Sequence, residues 1–313
     1  MAVLGIDTSN YTTSVAVYLP KENKVISKRK LLEVQEGQKG LRQSDAVFQH
    51  TKNIPYVSNL ALSEISEEIT AVGVSSKPRD LEGSYMPCFL AGVSAASLAA
   101  NSLKSNLHYF SHQRGHIAAA VYSVDRLDLL KREFIAFHVS GGTTEMLHIV
   151  PDSELIIKCT PIGVTLDLNA GQVIDRVGVM LGLKFPCGAE LEKLASNGKL
   201  IRKYKPVLKE GNCCLSGVEN LCLDMLKNGA LKEDVALFCL DAVTKTIVKM
   251  TEYGQEIFGD LPIVYAGGVM SDTIIRNEIE SRFNCVFSRP EFSCDNAAGV
   301  AILTAIKEGY IVL

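Results

Sequence analysis

No stretch of roughly eighteen or more apolar residues occurs in the 313-residue chain, so nothing in it is long enough to cross a bilayer as a helix. Met1 runs straight into a strand-like stretch at residues 3–6, without a basic flank or a small-residue cleavage site, so no leader is expected. No C-x-x-C pair is present among the nine cysteines (Cys88, Cys159, Cys187, Cys213, Cys214, Cys222, Cys239, Cys285 and Cys294). An odd set of this kind reads as reduced thiols, most of them buried as small hydrophobes, which points to the cytoplasm. Charge of one sign is not in excess either. The formal net charge is −3, so any nucleic-acid surface has to be a local patch. Low-complexity linkers are missing too, and a chain of this length with 47% hydrophobic residues is expected to bury two domains rather than one.

What is present is a pattern that occurs twice. Residues 2–30 read as an apolar strand, a small polar turn, an alternating strand, a second polar turn and a third strand. Residues 134–160 repeat that order, with Ser140-Gly141-Gly142-Thr143-Thr144 in the first turn. A repeated unit about 130 residues apart argues for two similar domains in an α/β fold. Small residues at such turns let backbone N–H groups approach a phosphate, although ordinary β-hairpins carry the same residues. A third small turn follows the apolar strand 261–265, at Ala266-Gly267-Gly268-Val269, and leads into a helix over 273–283. That is how an α/β sheet offers a helix N-terminus to an anion. Helices are also expected over 86–103, 171–183, 189–197, 234–254 and 297–308, the last after the cap-type residues Asp295 and Asn296.

His112 and His116 lie four residues apart, just before an Ala-rich run. On a helix this spacing places both imidazoles on one face, within reach of one divalent ion, and a third ligand would have to come from elsewhere. A satisfied, partly exposed pair would look the same. A zinc peptidase fits poorly, because Gln113 stands where that chemistry needs a glutamate base.

Taken in order, several segments resemble the tRNA threonylcarbamoyladenosine transferase family, the TsaD-like or glycoprotease-like proteins. They are Leu4-Gly5-Ile6-Asp7-Thr8-Ser9, the pair His112 and His116, Val139-Ser140-Gly141-Gly142, and Ala170-Gly171-Gln172-Val173-Ile174-Asp175-Arg176. Leu181-Gly182-Leu183, Ala266-Gly267-Gly268-Val269 and Asp295-Asn296-Ala297-Ala298 complete the set. The resemblance implies two actin/sugar-kinase-like domains, residues 1–112 with 296–313 and residues 113–295, with an interdomain cleft. It implies that Asp295 joins His112 and His116 on one ion, iron or zinc, and that an adenine nucleotide meets His138, Val139, Ser140, Gly141, Gly142, Asp175, Gly188 and Asp272. The implied partners are tRNA, threonylcarbamoyl-AMP or ATP/AMP, and protein subunits of a tRNA-modification complex. The implied reaction passes the threonylcarbamoyl group to N6 of the adenosine beside the anticodon.

The chain departs from the family pattern at several points. Tyr11 and Thr12 replace an acidic pair, which removes the most obvious general base. Arg114 replaces a glutamate between the histidines, placing a cation where a cation should bind. Thr143 replaces a histidine, Asp272 an asparagine, and residues 75–84 are unlike the family's glycine-proline-glycine turn. These changes describe a diverged paralogue, so a non-catalytic nucleotide-binding scaffold is the alternative reading. A sugar- or acetate-kinase-like phosphotransferase fits the fold less well, since it would need acidic Mg-phosphate residues instead of the histidine pair. The basic residues Lys21, Lys24, Lys28, Arg29, Lys30, Lys39 and Arg42 would either meet tRNA phosphates or form a solvated edge.

Overall fold

The structure is a computed structural model that describes residues 1–9, 11–34, 41–293 and 297–313. The chain runs through β1 (Ala2–Asp7), β2 (Thr12–Leu19), β3 (Lys24–Leu31), α1 (Gln43–Leu62), β4 (Ile69–Lys77), α2 (Phe89–Leu103), β5 (Asn106–Ser111) and α3 (His112–Ser123). It continues with β6 (Phe134–Val139), β7 (Thr144–Asp152), β8 (Ile156–Val164), α4 (Ala170–Met180), α5 (Gly188–Ala195), β9 (Leu208–Lys209), β10 (Asn212–Cys213) and α6 (Ser216–Lys227). Last come α7 (Lys232–Phe258), β11 (Ile263–Ala266), α8 (Thr273–Glu280), β12 (Cys285–Phe287) and α9 (Ala298–Lys307). Among the described residues, no helix is long and apolar enough to cross a membrane.

Two five-stranded sheets repeat one topology. The first is ordered β3-β2-β1-β4-β5, with β1 antiparallel to β2 and parallel to β4. The second, read from β8, is β8-β7-β6-β11-β12, with β6 antiparallel to β7 and parallel to β11. The duplicated hairpins of the sequence therefore form the antiparallel half of each sheet, and helix-linked strands form the parallel half. β1 and β2 are buried along their whole length; for apolar β1 this suits a strand covered on both faces, whereas β2, read from the sequence as alternating, also buries Thr12, Thr13 and Ser14. β3 lies at the edge and carries Lys24, Lys28, Arg29 and Lys30, charges that discourage pairing with another sheet.

The chain divides into two compact units. One comprises Met1–Arg132, Val150–Cys159 and Glu291–Leu313, and the other Glu133–Ile149 and Thr160–Pro290. The sequence-based boundary at residue 112 assigned α3 to the second domain, whereas α3 packs on α9 and belongs to the first. The reason is local. Gly115 of α3 and Gly299 of α9 let the two backbones touch, and a Cβ on Gly299 would overlap the carbonyl oxygen of Gly115. α9 in turn lies on β1 and β4 and is buried from Ala298 through Ala305.

The second unit is built around α7, whose apolar residues pack with α4, α5, α6 and α8 over one face of its sheet. Phe137, Tyr265 and Phe287 stack across three neighbouring strands, with centroids 4.8 and 4.9 Å apart. The Tyr265 hydroxyl, 2.7 Å from Thr251 Oγ1, fixes that ladder to α7. Six of the eight described cysteines are buried in the two cores, in keeping with their reading as small hydrophobes.

The α3–α9 crossing is open to a direct test. Helix propensity favours alanine over glycine by about 1 kcal/mol, yet Gly299→Ala should destabilise the protein by about 2 kcal/mol because backbone must move. Gly217, near the start of α6, has open space at the same position. Gly217→Ala should leave the thermal midpoint unchanged or slightly raised, and equal behaviour of the two variants would contradict the packing argument.

Candidate functional site

The first group of site residues gathers at the carboxyl ends of β1, β4 and β5, where α/β sheets usually place ligands. Asp7, the last residue of β1, is 1% exposed. Its Oδ1 accepts the Ser9 N–H at 2.8 Å, and its Oδ2 accepts Ser75 Oγ–H at 2.5 Å. The same Oδ2 lies 2.8 Å from His112 Nδ1. Burial alone would push the Asp7 carboxyl up. The His112 charge and the bonds from His112, Ser75 and Ser9 outweigh burial and hold it below the ordinary 3.8.

An ionised carboxylate is an acceptor only, so His112 must present its Nδ1–H to it. That directs Nε2 away from Asp7, and it lies 2.8 Å from His116 Nε2, with the rings nearly perpendicular at 80°. Phe89 packs on the His112 ring, with centroids 6.2 Å apart. The Nε2 pair has two chemical uses. His116 can donate a proton to His112, or both lone pairs can converge on a cation. Two imidazole nitrogens on one ion at about 2.0–2.1 Å would sit roughly 3 Å apart, so the observed spacing needs only a small opening. A carboxylate behind the distal nitrogen is the usual support of a metal-bound histidine. Among the described residues, no group of three or more His, Cys, Asp or Glu side chains is arranged to hold a metal. Asp295, the third ligand the resemblance implies, lies outside the described residues, as does Lys39 of the basic stretch.

Ser111 caps α3 by accepting the Arg114 N–H at 3.3 Å, and this fixes His112 as the first helical residue. Arg114 does not stand uncompensated as its sequence position suggested. Its side chain is 2% exposed, and its Nε lies 2.7 Å from Asp80 Oδ2, an ion pair by distance although the N–H is not aligned as a regular hydrogen bond. The Tyr11-Thr12 turn is built into the sheet. Thr12 is buried and donates its N–H to Ser9, while the Tyr11 carbonyl accepts from Leu32. On β3, Lys28 pairs with Glu64, two residues past the end of α1, and the Lys30 ammonium lies 5.6 Å over the Tyr56 ring of α1. Two of the basic residues are thus engaged by α1 and the turn that follows it.

The second group lies in the other unit. Ser140-Gly141-Gly142 closes the β6–β7 turn. Ser140 N–H bonds Thr143 O at 2.7 Å, and Ser140 Oγ accepts the N–H groups of Gly142 and Thr143. The turn sits on the N-terminus of α4, where Ala170 N–H bonds Thr144 Oγ1 and Gly171 N–H bonds Ser140 O. Gly171 has to be glycine for this, since a Cβ would fall 2.6 Å from Gly141 N. The Val139 side chain is in the core and offers only its backbone. His138, one residue earlier, is buried and stands opposite the buried Glu145 on β7. Asp175 on α4 accepts the Cys187 N–H at 2.8 Å, which holds the segment leading to Gly188, whose side-chain space is open.

Asp272 is the N-cap of α8 and accepts the N–H groups of Ile274 and Ile275, each at 3.0 Å. Burial pushes its carboxyl up to about 6, and the Glu192 charge adds to this against the two N–H bonds. Sequence reasoning left Asp7, Ser75 and Asp80 without roles. An aspartate at the end of a fully apolar strand was the available signal for Asp7, while Asp80 carries none outside the folded chain.

Asp272 yields a pH prediction. Because its folded pKa of about 6 lies above the ordinary 3.8, the folded state is favoured at low pH, and stability falls as pH rises between those values. Asparagine caps equally well without the charge. Asp272→Asn should therefore be more stable than wild type by on the order of 1 kcal/mol at neutral pH, with the gap closing near pH ~4. Thermal midpoints across that range check it, and a gap independent of pH would refute the assignment.

Known proteins resemble this chain in sequence and in fold. The family model of the tRNA N6-adenosine threonylcarbamoyltransferases, TsaD, matches residues 24–302. A protein of that name from Kosmotoga olearia is 33% identical over 321 residues, covering 98% of this chain and 93% of its own length. Another from Sulfurihydrogenibium sp. is 32% identical, covering 89% and 81%. Among solved structures, HypF from T. kodakarensis superposes with a TM-score of 0.57 at 14% identity, over 99% of this chain and 48% of HypF. A ROK family protein from Streptococcus pneumoniae gives 0.54 at 9% identity, over 99% and 100%. At such identities these two share the fold alone, that of actin and the sugar kinases. The extent of the family match and the identity of its full-length relatives place this chain in the TsaD family of tRNA N6-adenosine threonylcarbamoyltransferases.

Proposed function

We propose that the chain transfers the threonylcarbamoyl group of threonylcarbamoyl-AMP to N6 of the adenosine next to the anticodon in tRNA, in the cytoplasm, using one divalent ion, iron or zinc, held by His112, His116 and Asp295. The observation that carries this reading is the line from Asp7 to His112 to His116, with each contact at 2.8 Å. Bound there, the ion would orient and polarise the carbamoyl group. The chain's own contribution is positional. Asp7 keeps His112 in one tautomer and orientation, and Phe89 limits the ring's movement. The adenylate would lie against the Ser140-Gly141-Gly142 turn, with His138, Val139, Asp175, Gly188 and Asp272 around it. The N6 lone pair of an unstacked adenosine attacks the carbamoyl carbon, the bond from that carbon to the phosphate oxygen breaks, AMP leaves, and N6 loses a proton. ATP or AMP would occupy the same nucleotide site, and further subunits of a tRNA-modification complex are the expected protein partners.

One observation favours a second reading. The β1–β2 turn offers no carboxylate beyond Asp7, because Tyr11 and Thr12 stand where the family has acids and Thr12 is buried in the sheet. A nucleotide-binding scaffold without transfer activity would need no base there.

The decisive experiment supplies unmodified tRNA, ATP and the enzyme that forms threonylcarbamoyl-AMP, and measures modified adenosine. Wild type should form product, and His112→Ala should form at least about a hundredfold less while losing bound metal. Asp7→Asn should weaken metal affinity by about 10–100-fold with both histidines in place. No product with adenylate binding intact would establish the scaffold reading. Equal metal content in wild type, His112→Ala and His116→Ala would refute the ion site.

A further inference from the structure

Arg114 is the residue of α3 that the proposed reading leaves unused. It stands two residues from each histidine on the same helix, and its side chain is among the largest that are fully buried. A guanidinium does not give up its proton in a protein. Left alone, its charge would oppose any cation held by His112 and His116. Asp80 answers it. The Asp80 side chain is 8% exposed, and its Oδ2 lies 2.7 Å from Arg114 Nε. The same oxygen accepts the Ser111 Oγ–H at 3.1 Å, and Ser111 Oγ in turn accepts the Arg114 N–H. Gln113 N–H bonds Pro78 O at 3.0 Å, so the segment after β4 is fastened to the first turn of α3 at both ends of this circuit. Lys77 Nζ lies farther from Asp80, at 3.8 Å from Oδ1, and is more exposed.

We propose that Asp80 is a positioning and charge-compensating residue that, by pairing with buried Arg114, cancels that positive charge beside His112 and His116 so that a divalent cation can be held between them. The inference rests on the metal reading above and adds to it a carboxylate that is not itself a ligand. A pair that served packing alone would affect stability and nothing else. Compensation makes a different demand, because affinity for a cation must then follow the net charge of the pair rather than its shape.

Cobalt(II) alone is the probe, titrated into the full-length chain against a chelator and followed by its d–d absorption. Asp80→Asn keeps the shape and the Ser111 bond but leaves Arg114 uncompensated, and should weaken cobalt binding by about tenfold. Adding Arg114→Gln in that background removes the charge and should restore affinity to within about threefold of wild type. Arg114→Gln alone should bind cobalt as tightly as wild type or more tightly, and this arm holds even if Asp80→Asn fails to fold. Unchanged affinity in Asp80→Asn, no recovery in the double variant, or weaker binding in Arg114→Gln would each overturn the proposal while leaving the metal reading intact. Failure of the wild type to bind cobalt would bring down the metal reading, and this inference with it.

Discussion

A carboxylate buried at the end of a strand must be given hydrogen-bond donors, or it will take a proton instead. Asp7 is in that position, and its three donors come from three places in the chain: the turn after β1, the carboxyl end of β4 and the start of α3. The requirement to satisfy one side chain therefore ties the central strand to its parallel neighbour and to the histidine helix. It also decides which imidazole nitrogen of His112 is left to do chemistry. Had Asp7 been exposed to water, neither the ring orientation nor the facing pair of Nε2 atoms would follow.

This requirement could not be met by an α3 of arbitrary placement. The helix is positioned from the opposite side, where Gly115 and Gly299 bring its backbone onto α9, and α9 lies on β1 and β4. Close backbone packing and a buried hydrogen-bond network thus act on the same twelve-residue helix, one as a seat and the other as a latch. The second unit solves a similar problem with neutral groups. There the β6–β7 turn is held to the N-terminus of α4 by the Thr144 hydroxyl and the Ser140 carbonyl, which occupy N–H groups that a helix start leaves without partners.

Much of the architecture was legible in the sequence because its signals are local. The twice-repeated strand and turn order became the antiparallel half of two sheets with the same topology, and 234–254 became the longer α7. α1 was missed for physical reasons. Pro55 lies inside it, and its buried stripe of Ala46, His50, Asn53, Val57 and Ala61 includes two polar residues, so the apolar periodicity is broken. At the candidate site, the histidine spacing was visible, but the partners of those residues were not. Asp7 lies 105 positions from His112, and Asp80 lies 34 positions from Arg114, separations that only folding brings together.

The departures from the family pattern look different once each is given its neighbours. Taken singly, Arg114 adds a charge where none is wanted, Asp272 adds a carboxylate near the proposed phosphate site, and Thr12 removes a base. In the fold, Arg114 meets Asp80, and Asp272 spends an oxygen on two helix N–H groups at a pKa of about 6, which lowers its charge at mildly acidic pH. Position 12 has no such counterpart, because a buried threonine hydroxyl cannot accept a proton at neutral pH. Under the proposed reaction this deficit matters less than it would for an unactivated amide. In that proposal the carbamoyl group would arrive as a mixed anhydride with AMP, a good leaving group, and N6 would need to lose its proton only as the new bond completes. Orientation of the acceptor and donor would then contribute more to the rate than a strong base, and under that proposal the Asp7–His112–His116 line holds one imidazole edge in a fixed direction.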